Sequence, residues 1–156
     1  MANLAFGVPA KTVAATSTLT TDLGIKTPAN QAITLDEVDV GFDGTNSAQG
    51  PGIIDIDQTT WATNSPGTNS TSVTPVASDS GRPETIQSTA GKTWTVQPTV
   101  LTVWKSFLVP TYMGSALAPL PLMKPLVAKG GGGVSLASTL PSTVTANLTA
   151  TLLATE

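Results

Sequence analysis

The stretch Thr143–Glu156, TVTANLTATLLATE, alternates with a period of two. Val144, Ala146, Leu148, Ala150, Leu152 and Ala154 hold one parity. Thr143, Thr145, Asn147, Thr149, Thr151 and Thr155 hold the other, with Leu153 out of phase. Side chains of a β-strand point alternately to its two faces, so this is a strand with one apolar and one hydroxyl-rich face. Threonine is β-branched and suits a pleated surface. No other segment is as long or as clean, so the sheet is expected to be built around this strand, with its end tied into the core.

The composition agrees. The chain has 156 residues, of which 40% are hydrophobic, which suits one domain with a real core. Fourteen glycines and twelve prolines disfavour long helices and favour turns. Charged residues are only 11%, against about 25% in ordinary soluble domains. With a net charge of -3 and a mean hydropathy of +0.16, the surface is sparsely charged, which favours association with copies of itself or a partner.

Several function classes lose their chemistry. Without cysteine there is no disulfide, thiolate metal site or cysteine nucleophile. Without histidine there is no Ser-His-Asp arrangement, and the commonest general base and metal ligand are missing. No apolar run approaches the ~20 residues needed to cross a bilayer as a helix. Met1–Thr20 lacks a basic region leading into an apolar run, so it does not read as a signal peptide. The isoelectric point of about 4.7 and the lack of a basic stripe argue against nucleic-acid binding.

Working back from the terminal strand, Pro141 marks a turn, Val134–Leu140 a strand, Gly130–Gly133 a hairpin connection, and Leu126–Lys129 a short strand. Thr111–Pro125 combines prolines with Met113, Leu117, Leu120, Leu122 and Met123. It is either a contact surface or a lid over the sandwich. Lys92–Pro110, KTWTVQPTVLTVWKSFLVP, is the richest apolar segment. Val100, Trp104 and Leu108 fall on one parity and Leu101, Val103, Phe107 and Val109 on the other. A strand apolar on both faces is expected to be covered on both, either centrally in the fold or in a subunit interface.

Thr63–Pro83 reads as a long surface loop with Val73 and Val76 as anchors, and Glu84–Thr89 as a short strand ending in a turn at Ala90–Gly91. Ile53–Ala62 is a strand with Ile54 and Ile56 inward and Asp55 and Asp57 outward. In Gln31–Asp43 the apolar phase flips between Leu35 and Val38, so a β-bulge is expected at Asp36–Glu37. Residues 1–26 read as an extended arm in which Leu4, Phe6 and Val8 alternate briefly.

Chemistry-bearing motifs are few. Gly130–Gly133 lacks the Lys-Ser/Thr and helix of a phosphate loop. Asp39, Asp43, Asp55 and Asp57 would make an oxygen-only calcium site if they converged; solvated carboxylates are the simpler reading. A glycosidase pair among them lacks an apolar pocket to raise one pKa. Asn69-Ser70-Thr71 and Asn147-Leu148-Thr149 match a glycosylation sequon that a threonine-rich chain produces by chance. Trp61, Trp94 and Trp104 are either a sugar-stacking platform or core anchors.

Four features share a layout: the W-x-V-Q-P-T stretch Trp94–Thr99, the apolar strand ending in Phe107-Leu108-Val109-Pro110, the glycine-rich turn, and the final alternating strand. Over roughly 92–156 this layout resembles the head-decoration, or cement, proteins of tailed phages. The resemblance implies an all-β, antiparallel β-sandwich (jelly-roll-like or immunoglobulin-like) with an extended N-terminal arm. It also implies a non-enzymatic structural protein on the outer surface of the virion capsid, without a cofactor, catalytic residue, nucleic acid or membrane. Its partners would be the major capsid protein and itself, as a homotrimer bridging capsomers. The interface residues expected on this reading are Leu4, Phe6, Val8, Trp104, Phe107, Met113, Leu117, Leu120 and Leu122. The alternative is a head-fibre or adhesin-like module that binds glycans or a host surface.

Overall fold

The terminal stretch forms β12 (Ala146–Thr155), and its parity is the one expected. Ala146, Leu148, Ala150, Leu152 and Ala154 are buried, as is Val144 just before the strand. The structure, a computed structural model, describes residues 3–43, 50–61, 64–112, 115–119, 125–142 and 144–156. In it β12 lies between β3 (Ile33–Phe42) and β1 (Ala5–Ala15), with β10 (Leu126–Ala128) and β9 (Ser115–Pro119) beyond β3 and β6 (Val76–Ala77) beyond β1. These strands make the first sheet.

The second sheet runs β5 (Thr71–Val73), β7 (Thr89–Lys92), β2 (Thr20–Lys26), β11 (Gly132–Thr139), β4 (Pro51–Thr60), β8 (Thr99–Pro110). All pairings in both sheets are antiparallel. The chain is therefore the expected antiparallel β-sandwich. Setting aside the short β5, β6, β7 and β9, the remaining strands change sheet at every step along the chain except from β4 to β8, and lie in the order β1-β12-β3-β10 facing β2-β11-β4-β8. That is jelly-roll connectivity, which decides between the two architectures the sequence left open.

One core fills the space between the sheets. Leu148, Leu152, Leu35, Val38 and Phe6 from the first sheet meet Leu23, Ile25, Ile54, Ile56 and Leu136 from the second. Fully burying each large aliphatic side chain is worth roughly 1.5–3 kcal/mol. The predicted bulge is present: Leu153 pairs with Glu37 and Ala154 with Leu35, leaving Asp36 as the extra residue. Ile33 and Leu35 before it and Val38, Val40 and Phe42 after it consequently share the buried face.

Four expectations are corrected. The N-terminal segment is extended but is not an arm. Within residues 1–26, β1 pairs with β12, and β2 sits between β7 and β11. Its short apolar alternation continues through Ala10 to a register shift before Val13, and so contributes a core face that a short window underestimates. The glycine run makes a turn, with the Gly132 amide donating to the Lys129 carbonyl and Gly131 at φ 77. It is not a hairpin, because it carries the chain from β10 in one sheet to β11 in the other. Ala90–Gly91 lies inside β7 and is not a turn. Lys92 ends β7, and Thr93, at φ 55, turns the chain out of the ladder. Finally, among the described residues β8 pairs only with β4, so it is an edge strand and not the central one that was the first of its two expected places.

The segment read as a long loop carries β5 at the edge of the second sheet and β6 at the edge of the first. Val73 packs against the core as expected, whereas Val76 is exposed.

Candidate functional site: the outer face of the second sheet

In the second sheet Leu23, Ile25, Ala90, Val134 and Leu136 point to the core, so Gly24, Gly91 and Gly133 between them face outward. Two indoles lie on this glycine floor. A Cβ on Gly24 would come within 2.6 Å of Trp61 and 3.2 Å of Trp94, and one on Gly91 within 3.2 Å of Trp94. A Cβ on Gly133 would collide with the Trp61 indole nitrogen and the Ile25 carbonyl. The rings pack on each other with centroids 5.4 Å apart. Glycine is required here because the ring edges occupy the Cβ positions.

Residues 93–98 form a strap joining β7, on one side of β2, to β8, at the far edge. They contain most of the W-x-V-Q-P-T stretch. The Thr93 amide donates to the Asp22 carbonyl (3.2 Å), and the Thr21 amide donates to Gln97 Oε1 (2.6 Å). The Trp94 indole donates to the Asn64 carbonyl (2.9 Å), and Asn64 Nδ2 donates to the Gln97 carbonyl (2.9 Å). Pro98 is buried and Val96 is exposed.

The outward-facing pairs along β4 and β8 change character from end to end. Pro51 opposes Pro110, Ile53 opposes Leu108, Asp55 opposes Ser106, and Asp57 opposes Val103. Ile53, Val103 and Leu108 are 44%, 52% and 63% exposed. The Ser106 hydroxyl donates to Asp55. Asp57 is buried, and its Oδ1 has no partner. Desolvation, and after it the neighbouring Asp55 carboxylate, push its pKa up to about 6. The hydroxyls of Thr59 and Ser135, also buried on this face, bond to each other at 2.6 Å. The outer face is thus roofed by indoles and the strap at one end, and bare and apolar at the other.

Bulges explain the mixed parity of β8. Ile56 pairs with Lys105 and Asp57 with Val103, so Trp104 is the extra residue. Trp104 and Phe107 pack against the core, Val109 is fully buried, and Val103 and Leu108 are left outside.

Of the expected interface residues, Leu4, Phe6 and Val8 are buried, Phe6 and Val8 within the main core, and offer no surface. Trp104 and Phe107 are half-buried against that core. Leu117 lies in β9 opposite Asp39. Met113, Leu120 and Leu122 lie outside the described residues. The exposed apolar residues here are Leu108, Ile53 and Val103, which the expected interface set omits, although Leu108 and Val103 belong to the strand for which a subunit interface was one of the two expected places. The signal was the two-sided apolar pattern of Val100–Val109.

The four aspartates do not converge. Asp39 belongs to β3 and Asp43 follows it in the first sheet, whereas Asp55 and Asp57 are on β4 in the second. Asp43 accepts from the Asn147 side chain at 2.7 Å. Asp57 faces outward as expected but is buried, not solvated. Trp61 and Trp94 are buried and cannot serve as an exposed stacking platform. A groove of about 660 Å³ beside them, lined in part by Lys26, Thr60, Trp61, Gln87 and Thr89, offers an ammonium, hydroxyls and an amide but no carboxylate.

No protein-family model, curated protein or solved structure matches the chain.

Proposed function

We propose that the protein is a structural docking module that decorates a phage capsid, and that it binds through the bare end of the second sheet's outer face. The observation that carries this reading is the exposed apolar pair of Ile53 and Leu108, with the exposed Val103 farther along β8 beyond the Asp55–Ser106 pair. These are large apolar side chains on adjacent strands, exposed on a chain with few charges to keep such a surface solvated. The resemblance over roughly 92–156 supplies the partner class, the major capsid protein. It also supplies a small homo-oligomer, a trimer by that likeness, as the working form. A module that binds only the assembled lattice stabilises it by mass action, because loose subunits lack the composite site.

The test is genome release on heating, measured on particles stripped of the protein and on the same particles after add-back. Wild-type protein is expected to raise the release temperature, and Leu108→Asp to fail to do so. Superimposable curves, with wild-type protein shown to be bound, would remove the cement function.

A further inference from the structure

Asp22 is the extra residue of a bulge in β2: Leu136 pairs with Leu23 and Ala137 with Thr21, and Asp22 has no partner in β11. The side chain is 1% exposed, and its Oδ2 is buried without a hydrogen bond. Two hydroxyls face it. Thr20 donates to Oδ1 at a long 3.4 Å. Ser138 sits close enough to favour the carboxylate, but its Oγ makes no hydrogen bond of regular geometry. Among the described residues no cation offsets the site. The lysines on packed strands are Lys26 on β2 itself, Lys92 on β7 and Lys11 on β1, and the Lys92 ammonium is held by the Lys11 carbonyl at 3.0 Å. β11 and the strap carry no charged residue, and β4 beyond β11 adds only Asp55 and Asp57. Burial accordingly pushes the Asp22 carboxyl up to about 7.

The same bulge is where the strap is tied down. The Asp22 carbonyl receives the Thr93 amide at the strap's first residue, and the preceding Thr21 amide reaches Gln97 near its last. We propose that the Asp22 bulge is a proton-operated latch: with the carboxyl protonated the strap and its Trp94 ring are held down on the glycine floor beside Trp61, and with the carboxylate ionised the bulge opens and the strap lifts. An ionised carboxylate in this site has only the long Thr20 contact and the nearby Ser138 hydroxyl, and its Oδ2 has no donor, so it gains full solvation only by opening the bulge. Opening costs least on the strap side. There only a few bonds break, whereas the ladder from β2 to β11 is continuous on either side of Asp22.

The experiment is residue-resolved hydrogen exchange on the intact protein at about pH 5.5 and about pH 8.5, expressed as protection factors. The strap reporters are the Thr21 and Thr93 amides and the Trp94 indole proton. The references are amides in the pairing of β12 with β3. Strap protection is expected to fall roughly tenfold or more relative to the references as pH rises. Asp22→Asn, which keeps the shape of the neutral acid, should hold strap protection high at both values. Ser138→Ala removes a group that favours the carboxylate and should move the transition to higher pH. Asp57→Asn should leave the strap response in place. The latch is refuted if strap and reference protons lose protection by the same factor, or if Asp22→Asn still responds. Should Asp22→Asn fail to fold, the wild-type comparison and the Ser138→Ala shift decide, and an unmoved transition refutes the latch.

Discussion

β12 and β8 are both long strands rich in apolar residues, and the fold uses them in opposite ways. β12 sits inside its sheet, paired on both sides, with every second residue buried. β8 is the edge of the other sheet, is bulged twice against β4, and leaves Val103 and Leu108 outside. Its edge carries features that discourage pairing with a further strand: the bulges, Pro110 at its end, and a lysine, Lys105, in its middle. Strict alternation therefore marks a strand whose second face meets water. Apolar residues on both parities here mark a bulged edge strand that leaves part of its apolar surface exposed.

The comparison breaks most sharply on β12. Leu148 is fully buried, and Leu148→Asp would place an unpaired carboxylate between the sheets. The expected loss is roughly 3–5 kcal/mol or complete unfolding, read by denaturant melts. Thr149→Asp, next in sequence and exposed, should cost less than about 1 kcal/mol. Equal losses from the two variants would mean that the parity of β12 is wrong.

A second difference is electrostatic. β12 contains no titratable side chain, whereas the second sheet buries Asp22 and Asp57 with carboxyls raised to about 7 and about 6. Both values lie above the ordinary 3.8, so between about pH 4 and pH 7 the folded chain binds more protons than the unfolded chain. Stability from these groups is fully present below about pH 4 and is lost as pH rises through the two raised values. The melting temperature should therefore be higher at about pH 5 than at about pH 8, by an amount worth a few kcal/mol. Asp22→Asn combined with Asp57→Asn should flatten the profile. A wild-type profile that rises across that interval would contradict both burials.

Much of this was legible in the sequence. The parity of β12 and the bulge at Asp36 follow from period-two patterns, because a pleated strand with one buried face leaves no choice of register. What stayed hidden depends on groups far apart in sequence. Phe6 and Val8 looked like part of an arm because the alternation around them is short and a register shift separates it from Val13. Asp57 looked solvated because nothing near it in sequence shows that its side of β4 is enclosed while Asp55, two residues earlier, stays partly open. The floor of Gly24, Gly91 and Gly133 comes from three strands, and its purpose shows only once Trp61 and Trp94 are laid across it. The resemblance that singled out Trp94–Thr99 pointed to a segment whose visible role is to roof that floor.

The smallest expected effect is also the most informative, and it falls between neighbours on β8. Val109 is fully buried, and Val109→Asp should destabilise by several kcal/mol, as at any core position. Leu108 lies opposite Ile53 on the outer face and is more exposed than Ile53 or Val103, so Leu108→Asp should change folding stability by no more than about 0.5 kcal/mol. The substitution nevertheless places a charge amid the bare apolar pairs and so should abolish any association that covers them. Melting curves measure the first expectation, and light scattering of the isolated protein together with pelleting alongside particles measures the second. A variant that folds like wild type and no longer binds would assign the outer side of β8 to docking. A variant that folds and still binds would mean that Leu108 lies outside the interface, and the contact would then have to be sought on the edge that β9 and β10 share along β3.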